Sequence, residues 1–151
     1  MDIEDKIIEA TREIFSSMVM MDISVEAEDV KDSGKLHDTI TGLIGLAGTH
    51  KGVLAIHIPH QVAMAITSNF LGIDINEINE DVEDAVGELA NMLGGSVKTV
   101  LAGNGRDIDL SLPSTISGAS YHFQPSKDVD KVVVRFGTPN GSFLVELQLE
   151  K

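Results

Sequence analysis

Residues 80–101 constrain the fold of this chain more than any other segment does. Apolar side chains recur along it in steps of three or four, at Val82, Val86, Leu89, Leu93, Val97 and Val100. That spacing predicts a long helix with one buried stripe. Asn79 is placed to cap its N-terminus, and Glu80 and Asp81 add negative charge to the first turn, where the helix dipole favours it.

A second, polar stripe runs along the other side of the same segment, through Asp84, Glu88, Asn91 and Gly95. Residues three and four apart are neighbours on a helix, so we expect the Glu88 carboxylate and the Asn91 carboxamide to project side by side. The stripe has no lysine or arginine before Lys98, whereas surface helices usually pair opposite charges at this spacing. The alternative interpretation of so short a pattern is a solvated helix face.

Two glycines, Gly94 and Gly95, lie in the interior of this predicted helix, and Met92 stands beside Asn91. Each glycine costs about 1 kcal/mol relative to alanine in a helix interior. The cost favours either close packing against another backbone or close approach by a partner. A methionine and a glycine next to Asn91 predict a low surface that a partner could reach.

Composition limits the class of protein. The chain of 151 residues fits one domain over residues 1–151, and it contains no cysteine, which excludes disulfides and thiolate metal sites and fits a cytoplasmic location. Its net charge is −13, and its basic residues form no cluster along the sequence. This charge argues against DNA, RNA or an anionic membrane as partner and suits a protein with a positive surface.

Periodicity and turn residues predict the remaining elements. Helices are expected at 2–20 and His60–Leu71, and strands at 39–47, 53–58, 108–112, 119–123, 131–136 and 142–149. Residues 24–30 are compatible either with a short strand or with the start of a polar link through Asp32, Ser33 and Gly34. Turns or loops are expected at 102–105, 114–118 and 125–128. Residues 48–52 and 137–141 both read Gly-Thr-x-x-Gly between two strands, which suggests an internal pseudo-repeat. The order predicts an α+β domain with helices packed on a mostly antiparallel sheet.

Other catalytic and metal chemistries have little support. His50, His57 and His60 are the candidate metal ligands, but His57 is predicted on a strand and His60 at a helix start, so the default expectation is no metal site. Neither a nucleophile elbow nor a phosphate-binding glycine loop occurs in the sequence.

The polar stripe resembles a known family. Asp84, Glu88 and Asn91 form D-x-x-x-E-x-x-N, followed by GG-x-x-K and by Pro113, and this pattern is similar to that of the CheC/CheX/FliY chemotaxis phosphatases. The order of elements agrees over nearly the whole chain, which implies a CheC-like fold with a pseudo-repeat. The helix at His60–Leu71, taken as the counterpart of the motif helix, has Ile66 where a second glutamate would stand. A single motif resembles the CheX branch.

This resemblance implies a phosphatase that hydrolyses the aspartyl phosphate of a CheY-like response regulator. Asn91 would orient the attacking water, Glu88 would pair with a lysine of the regulator, and Asp84, Met92 and Gly95 would contact the partner. The chain would need no cofactor of its own, because Mg²⁺ belongs to the regulator. The resemblance also implies a homodimer joined through edge strands, for which the apolar C-terminal strand at 143–149 is the candidate.

Two other functions remain compatible with the sequence. The first is a non-catalytic domain that binds the response regulator through the same helix without hydrolysing its phosphate. The second is a dimerisation domain that does not recognise the regulator. Acceleration of dephosphorylation distinguishes the enzyme from both, and phosphorylation-dependent binding distinguishes the two alternatives from each other.

Overall fold

The computed structural model describes residues 3–27, 33–102, 107–123 and 129–150. These residues form helices α1 (Ile3–Ile14), α2 (His60–Leu71) and α3 (Glu80–Ala102), and a π-helical turn, Phe15–Val19, continues α1. They also form strands β1 (Ser24–Ala27), β2 (Lys35–Gly48), β3 (Gly52–Pro59), β4 (Ile108–Leu110), β5 (Ser114–His122), β6 (Val129–Thr138) and β7 (Gly141–Glu150). The turns predicted at 102–105 and 125–128 lie outside the described residues, apart from Ala102 in α3.

The described strands build one antiparallel sheet in the order β1-β6-β7-β3-β2-β4, and β5 pairs with the same side of β2 as β4 does. Both predicted hairpins are present, because β2 pairs with β3 and β6 pairs with β7. The two hairpins join in the middle of the sheet through β3 and β7. The α+β architecture predicted from the sequence is therefore confirmed.

The topology contains an approximate twofold repeat. A helix followed by three strands occurs twice, as α1-β1-β2-β3 and as α3-β5-β6-β7, apart from the short β4 and the helix α2. Each half supplies a strand to the other half's hairpin, since β1 pairs with β6 and β5 pairs with β2. This arrangement makes α1 the counterpart of α3, so the assignment of that role to α2 from the sequence is wrong.

The helices pack on one face of the sheet. The stripe of α3 that is buried lies against β2, where an added Cβ at Gly42 would come within 2.8 Å of the Val86 carbonyl oxygen. Burying each aliphatic side chain of this layer contributes about 1.5–3 kcal/mol. The largest fully buried side chains between the helices and the sheet include Phe15, Phe136, Phe143, Ile40, Ile44, Ile56, Ile66, Leu89 and Leu93. None of the described helices combines the length and the apolar character needed to cross a bilayer.

Three expectations for the strands are wrong. Residues 114–118, expected to be a loop, are the first half of β5, because their backbone pairs with residues 39–43 of β2. Leu112 was expected on the buried side of a strand but lies beyond β4 and is 87% exposed. The C-terminal strand β7 is not an edge strand, since it lies between β6 and β3.

Candidate functional site

The N-terminus of α3 is built as its sequence predicts. The backbone N–H of Val82 donates to the Oδ1 atom of Asn79 at 3.2 Å, which satisfies one of the free donors of the first turn. Glu80, Asp81 and Glu83 place three carboxylates in that turn, where the helix dipole stabilises them. This end of α3 is therefore well anchored and strongly acidic.

The two stripes of α3 differ in exposure. Val82, Val86, Leu89, Leu93 and Val97 are buried, whereas Val100, predicted in the same stripe, is 37% exposed. On the polar side Asp84, Glu88 and Asn91 are exposed, and Met92 and Gly95 are half-buried. Within the described residues, the side chains of Glu88 and Asn91 make no hydrogen bond and no ion pair. Both groups are consequently available to a partner.

The two adjacent glycines of α3 have different surroundings. A Cβ added to Gly94 would lie 3.1 Å from Cγ2 of Ile44, so this glycine lets α3 pack closely on β2. Apart from its chain neighbours and the adjoining helix backbone, a Cβ added to Gly95 would meet no heavy atom of the described residues within 4 Å. Close packing therefore explains Gly94, whereas Gly95 leaves the surface below Asn91 open.

The exposed stripe forms a ridge between two grooves. The first groove, with a volume of about 380 Å³, is lined by Phe70 and Leu71 of α2 and by Asp81, Asp84, Ala85 and Glu88 of α3. The second, of about 400 Å³, lies between α3 and the start of β5 and is lined by Glu83, Asp84, Gly87, Glu88, Pro113 and Thr115. Asp84 and Glu88 line both grooves, so a partner that contacts Glu88 also borders on both of them.

Pro113 lies beside the motif helix α3, in the wall of the second groove. A Cβ added at Gly87 would stand 3.9 Å from Cβ of Pro113 and 4.0 Å from Cγ2 of Thr115. The chain therefore enters β5 directly beside the motif helix. Sequence reasoning misses Phe70 and Leu71 as groove residues, because no local pattern indicates which end of α2 lies against α3. It places Asp81 only in the first turn of α3 and not in the polar stripe.

The histidines considered as metal ligands lie in separate environments. His57 is buried on the sheet face opposite the helices, with Nε2 3.0 Å from Oε1 of Glu146 and Nδ1 2.8 Å from Oγ1 of Thr41. His60 Nε2 lies 3.1 Å from Oγ of Ser117, and His50 is exposed. In the part of the chain that the structure describes, no three histidine, aspartate or glutamate side chains are placed to hold a metal ion.

The pairing of His57 with Glu146 lowers the pKa of the glutamate. Burial alone would raise the pKa of Glu146, but hydrogen bonds from His57 and Gln148, together with the charge of His57, hold that pKa below its usual range. The Gln148 bond to Oε2 of Glu146 is 2.7 Å long. Glu146 is thus a carboxylate in the folded protein, and it belongs to the sheet and not to the exposed helix face.

The counterpart helix α1 carries a related but altered stripe. Asp5, Glu9 and Arg12 have the same spacing as Asp84, Glu88 and Asn91, and all three are exposed. Arg12 thus places a guanidinium, which only donates hydrogen bonds, where α3 has an amide that can also accept. The two halves of the fold therefore present chemically different helix faces.

Comparison with known proteins agrees with this architecture. A sequence model of the family described as chemotaxis phosphatase CheX matches residues 40–137. The chain is 30% identical over 83 residues to the CheY-P phosphatase CheX of Thermotoga maritima, a match that covers 54% of this chain and 53% of the relative. The chain thus spans about half the length of this curated relative.

Solved structures show the same fold. The chemotaxis protein CheX from Desulfovibrio desulfuricans superposes with a TM-score of 0.87 at 27% identity, covering 99% of this chain and 100% of that chain. A chain in the CheX–CheY–BeF3–Mg²⁺ complex from Borrelia burgdorferi gives a TM-score of 0.79 at 18% identity, with 99% of each chain covered, a likeness that concerns the fold. Because the family match extends over more than half of its length, the chain belongs to the CheX family of chemotaxis phosphatases.

Proposed function

We propose that the chain hydrolyses the aspartyl phosphate of a CheY-like response regulator through Glu88 and Asn91. The observation that carries the proposal is the exposure of both side chains on α3, where no described residue engages either of them. The name of the Thermotoga maritima relative, a CheY-P phosphatase, supports the reaction. The Borrelia burgdorferi complex of CheX with CheY supports the class of partner. A cytoplasmic site of action is part of the same proposal.

Asn91 has the chemistry that this reaction needs. An acyl phosphate is labile, and its hydrolysis requires mainly a water held in line behind the phosphorus atom. The amide oxygen of Asn91 can accept a hydrogen bond from that water, and its amide nitrogen can donate one to a phosphoryl oxygen. The water oxygen bonds to phosphorus as the bond from phosphorus to the aspartyl oxygen breaks. The products are the aspartate carboxylate and inorganic phosphate, which carries both hydrogens of the water as dihydrogen phosphate or releases one of them to solvent.

Glu88 has the chemistry of a docking group. Its carboxylate lies one helical turn from Asn91, so a lysine beside the regulator's phosphoryl group could pair with it and fix the position of α3. An ion pair that loses its water in an interface adds specificity because only one register satisfies both charges. We assign Mg²⁺ to the phosphoryl pocket of the regulator, and no step of this proposal takes a cofactor from the chain.

The test is the decay of ³²P-labelled regulator with and without the purified chain. We expect the wild-type chain to accelerate the decay and Asn91→Ala to abolish the acceleration while retaining binding of the regulator. Asn76→Ala is the matched control, because Asn76 is also exposed but lies on the α2–α3 connection away from the stripe. Unchanged decay with wild-type chain would refute the phosphatase and, if the regulator still binds, would favour the non-catalytic binding domain.

We also propose that the chain forms a homodimer, with β5 as the strand that pairs. An edge strand has unpaired N–H and C=O groups that a second sheet can satisfy. Among the described strands, β5 lies at the sheet edge on the far side of β2 and exposes Ile116 by 47%. Sedimentation velocity of the wild-type chain tests this, and a monomer at all concentrations would refute it.

A further inference from the structure

We propose that the groove between α2 and α3, lined by Phe70, Leu71, Asp81, Asp84, Ala85 and Glu88, receives a lysine or arginine side chain of the response regulator together with an apolar neighbour. We call it the α2–α3 groove. This inference rests on the proposed function and adds to it a second contact, outside the phosphoryl pocket, that selects the regulator. It assigns this role to Phe70, Leu71 and Asp81.

The lining of the α2–α3 groove divides into two chemical parts. Phe70, Leu71 and Ala85 give it an apolar wall, and Leu71 is 49% exposed although it is a large aliphatic residue. Asp81, Asp84 and Glu88 give it an acidic wall one or two helical turns long. No described residue forms a hydrogen bond or an ion pair with these carboxylates, and none of the described residues that line the groove is basic.

Lysine and arginine match both parts of this lining. Each has a long hydrocarbon stem that packs on apolar surface and a charged head that remains near water or a carboxylate. A purely apolar occupant would leave three carboxylates facing it, and an acidic occupant would be repelled. The net charge of −13 adds a long-range attraction for a basic surface.

The walls of the groove are held in place by their own hydrogen bonds. The helix α2 ends at Gly72, whose left-handed backbone (φ 70°) lets its N–H donate to the Ser68 carbonyl oxygen at 2.8 Å. The N–H of Ile75 donates to Oγ of Ser68 at 3.1 Å, which fixes the start of the connection to α3. The backbone that carries Leu71 is therefore fixed by a capped helix end before a partner binds.

The position of the α2–α3 groove beside Glu88 favours the response regulator as its partner. Glu88 belongs both to the groove lining and to the proposed catalytic pair, so the groove begins at the docking group itself. A regulator whose phosphoryl site faces Asn91 therefore covers either the α2–α3 groove or the second groove, which lies between α3 and the start of β5 and which we call the β5 groove. Leu71 is exposed in the α2–α3 groove, whereas the described lining of the β5 groove has no apolar side chain as large. This difference favours the α2–α3 groove.

The experiment titrates a regulator activated with BeF3⁻ and Mg²⁺ into the wild-type chain and four variants by calorimetry. This mimic is not hydrolysed, so affinity is measured apart from catalysis. We expect Asp81→Asn and Asp84→Asn each to weaken binding about twofold to fivefold, the range of single exposed charge pairs. We expect Leu71→Ala to weaken it about fivefold, since roughly half of a leucine's burial is still to be gained. Thermal unfolding checks that each variant is folded.

Asp74→Asn is the matched control, because Asp74 is an exposed aspartate on the α2–α3 connection outside the groove lining. The inference is supported if the three groove variants bind more weakly than this control and the two charge variants also show a smaller salt dependence. It is refuted if they bind like the control while the wild-type chain accelerates regulator dephosphorylation. If the wild-type chain neither binds the regulator nor accelerates its decay, the proposed function itself has failed.

Discussion

Replacing Gly95 by alanine should stabilise the protein and weaken its function at the same time. Outside its own stretch of helix, the added methyl group meets no heavy atom of the part of the chain that the structure describes within 4 Å. It therefore gains the helix preference of alanine, about 0.8–1.0 kcal/mol, without a steric cost. For a chain of this size that gain raises the melting temperature by about 2–4 °C. The same methyl group stands on the open surface below Asn91, where crowding of a docked regulator should lower kcat/KM about fivefold or more.

Urea unfolding followed by circular dichroism measures the first effect, and the decay of labelled regulator measures the second. Two other glycines serve as controls. In Gly94→Ala the same preference is offset by contacts at 3.1 Å with Cγ2 and 3.3 Å with Cδ1 of Ile44. In Gly42→Ala the new Cβ would lie 2.8 Å from the Val86 carbonyl oxygen, and we expect a loss of about 1–3 kcal/mol. Stability should therefore decrease in the order Gly95→Ala, Gly94→Ala, Gly42→Ala.

Two results would contradict this reasoning in different ways. If Gly95→Ala unfolds more readily than the wild-type chain, Gly95 does not lie on an open helix face. If the variant is more stable but dephosphorylates the regulator as fast as the wild-type chain, the regulator does not approach Gly95, and this residue is no part of the docking surface.

Three further predictions address the docking group, the buried pair and the sheet edge. Glu88→Gln should raise KM for the phosphorylated regulator more than it lowers kcat. A variant with lowered kcat and unchanged KM would contradict a docking role. Glu146→Gln should lower the free energy of unfolding by about 1–3 kcal/mol at neutral pH. Because the folded-state pKa of Glu146 lies below the ordinary 4.5, this difference in free energy of unfolding should shrink as the pH falls below that value. Urea titrations at several acidic pH values measure it, and a difference that stays constant would contradict the prediction. Ile116→Lys should convert a dimer to a monomer in sedimentation velocity, whereas an unchanged sedimentation coefficient would exclude pairing through β5 at this residue.

Helices α2 and α3 could be predicted closely because their signals are local. Pro59 precedes α2, Gly72 closes it, and Asn79 caps α3, and each acts on backbone groups within a few residues. The exposed position of Glu88 and Asn91 follows in the same way, since the buried stripe of a helix determines which residues face away from it.

The strands show where such local reasoning stops. Residues 114–118, Ser-Thr-Ile-Ser-Gly, lack the alternation of a half-buried strand, yet they pair along residues 39–43 more than seventy positions earlier. The position of β7 inside the sheet depends on its pairing with β3, which is equally remote in sequence. Whether a strand lies at an edge or in the interior of the sheet depends on which strands pair with it. The periodicity of its own side chains does not indicate those partners.

By itself, then, the sequence determined a capped helix that presents a carboxylate and an amide away from its apolar stripe. Only the tertiary structure decided what surrounds them: Leu71 on one side, Pro113 on the other, and Ile44 beneath Gly94 but, among the described residues, open space at the Cβ position of Gly95. The reason is geometric. A helix sets the directions of its own side chains through about 100° of rotation per residue, whereas the neighbours that meet those side chains come from segments that only the packed sheet brings together.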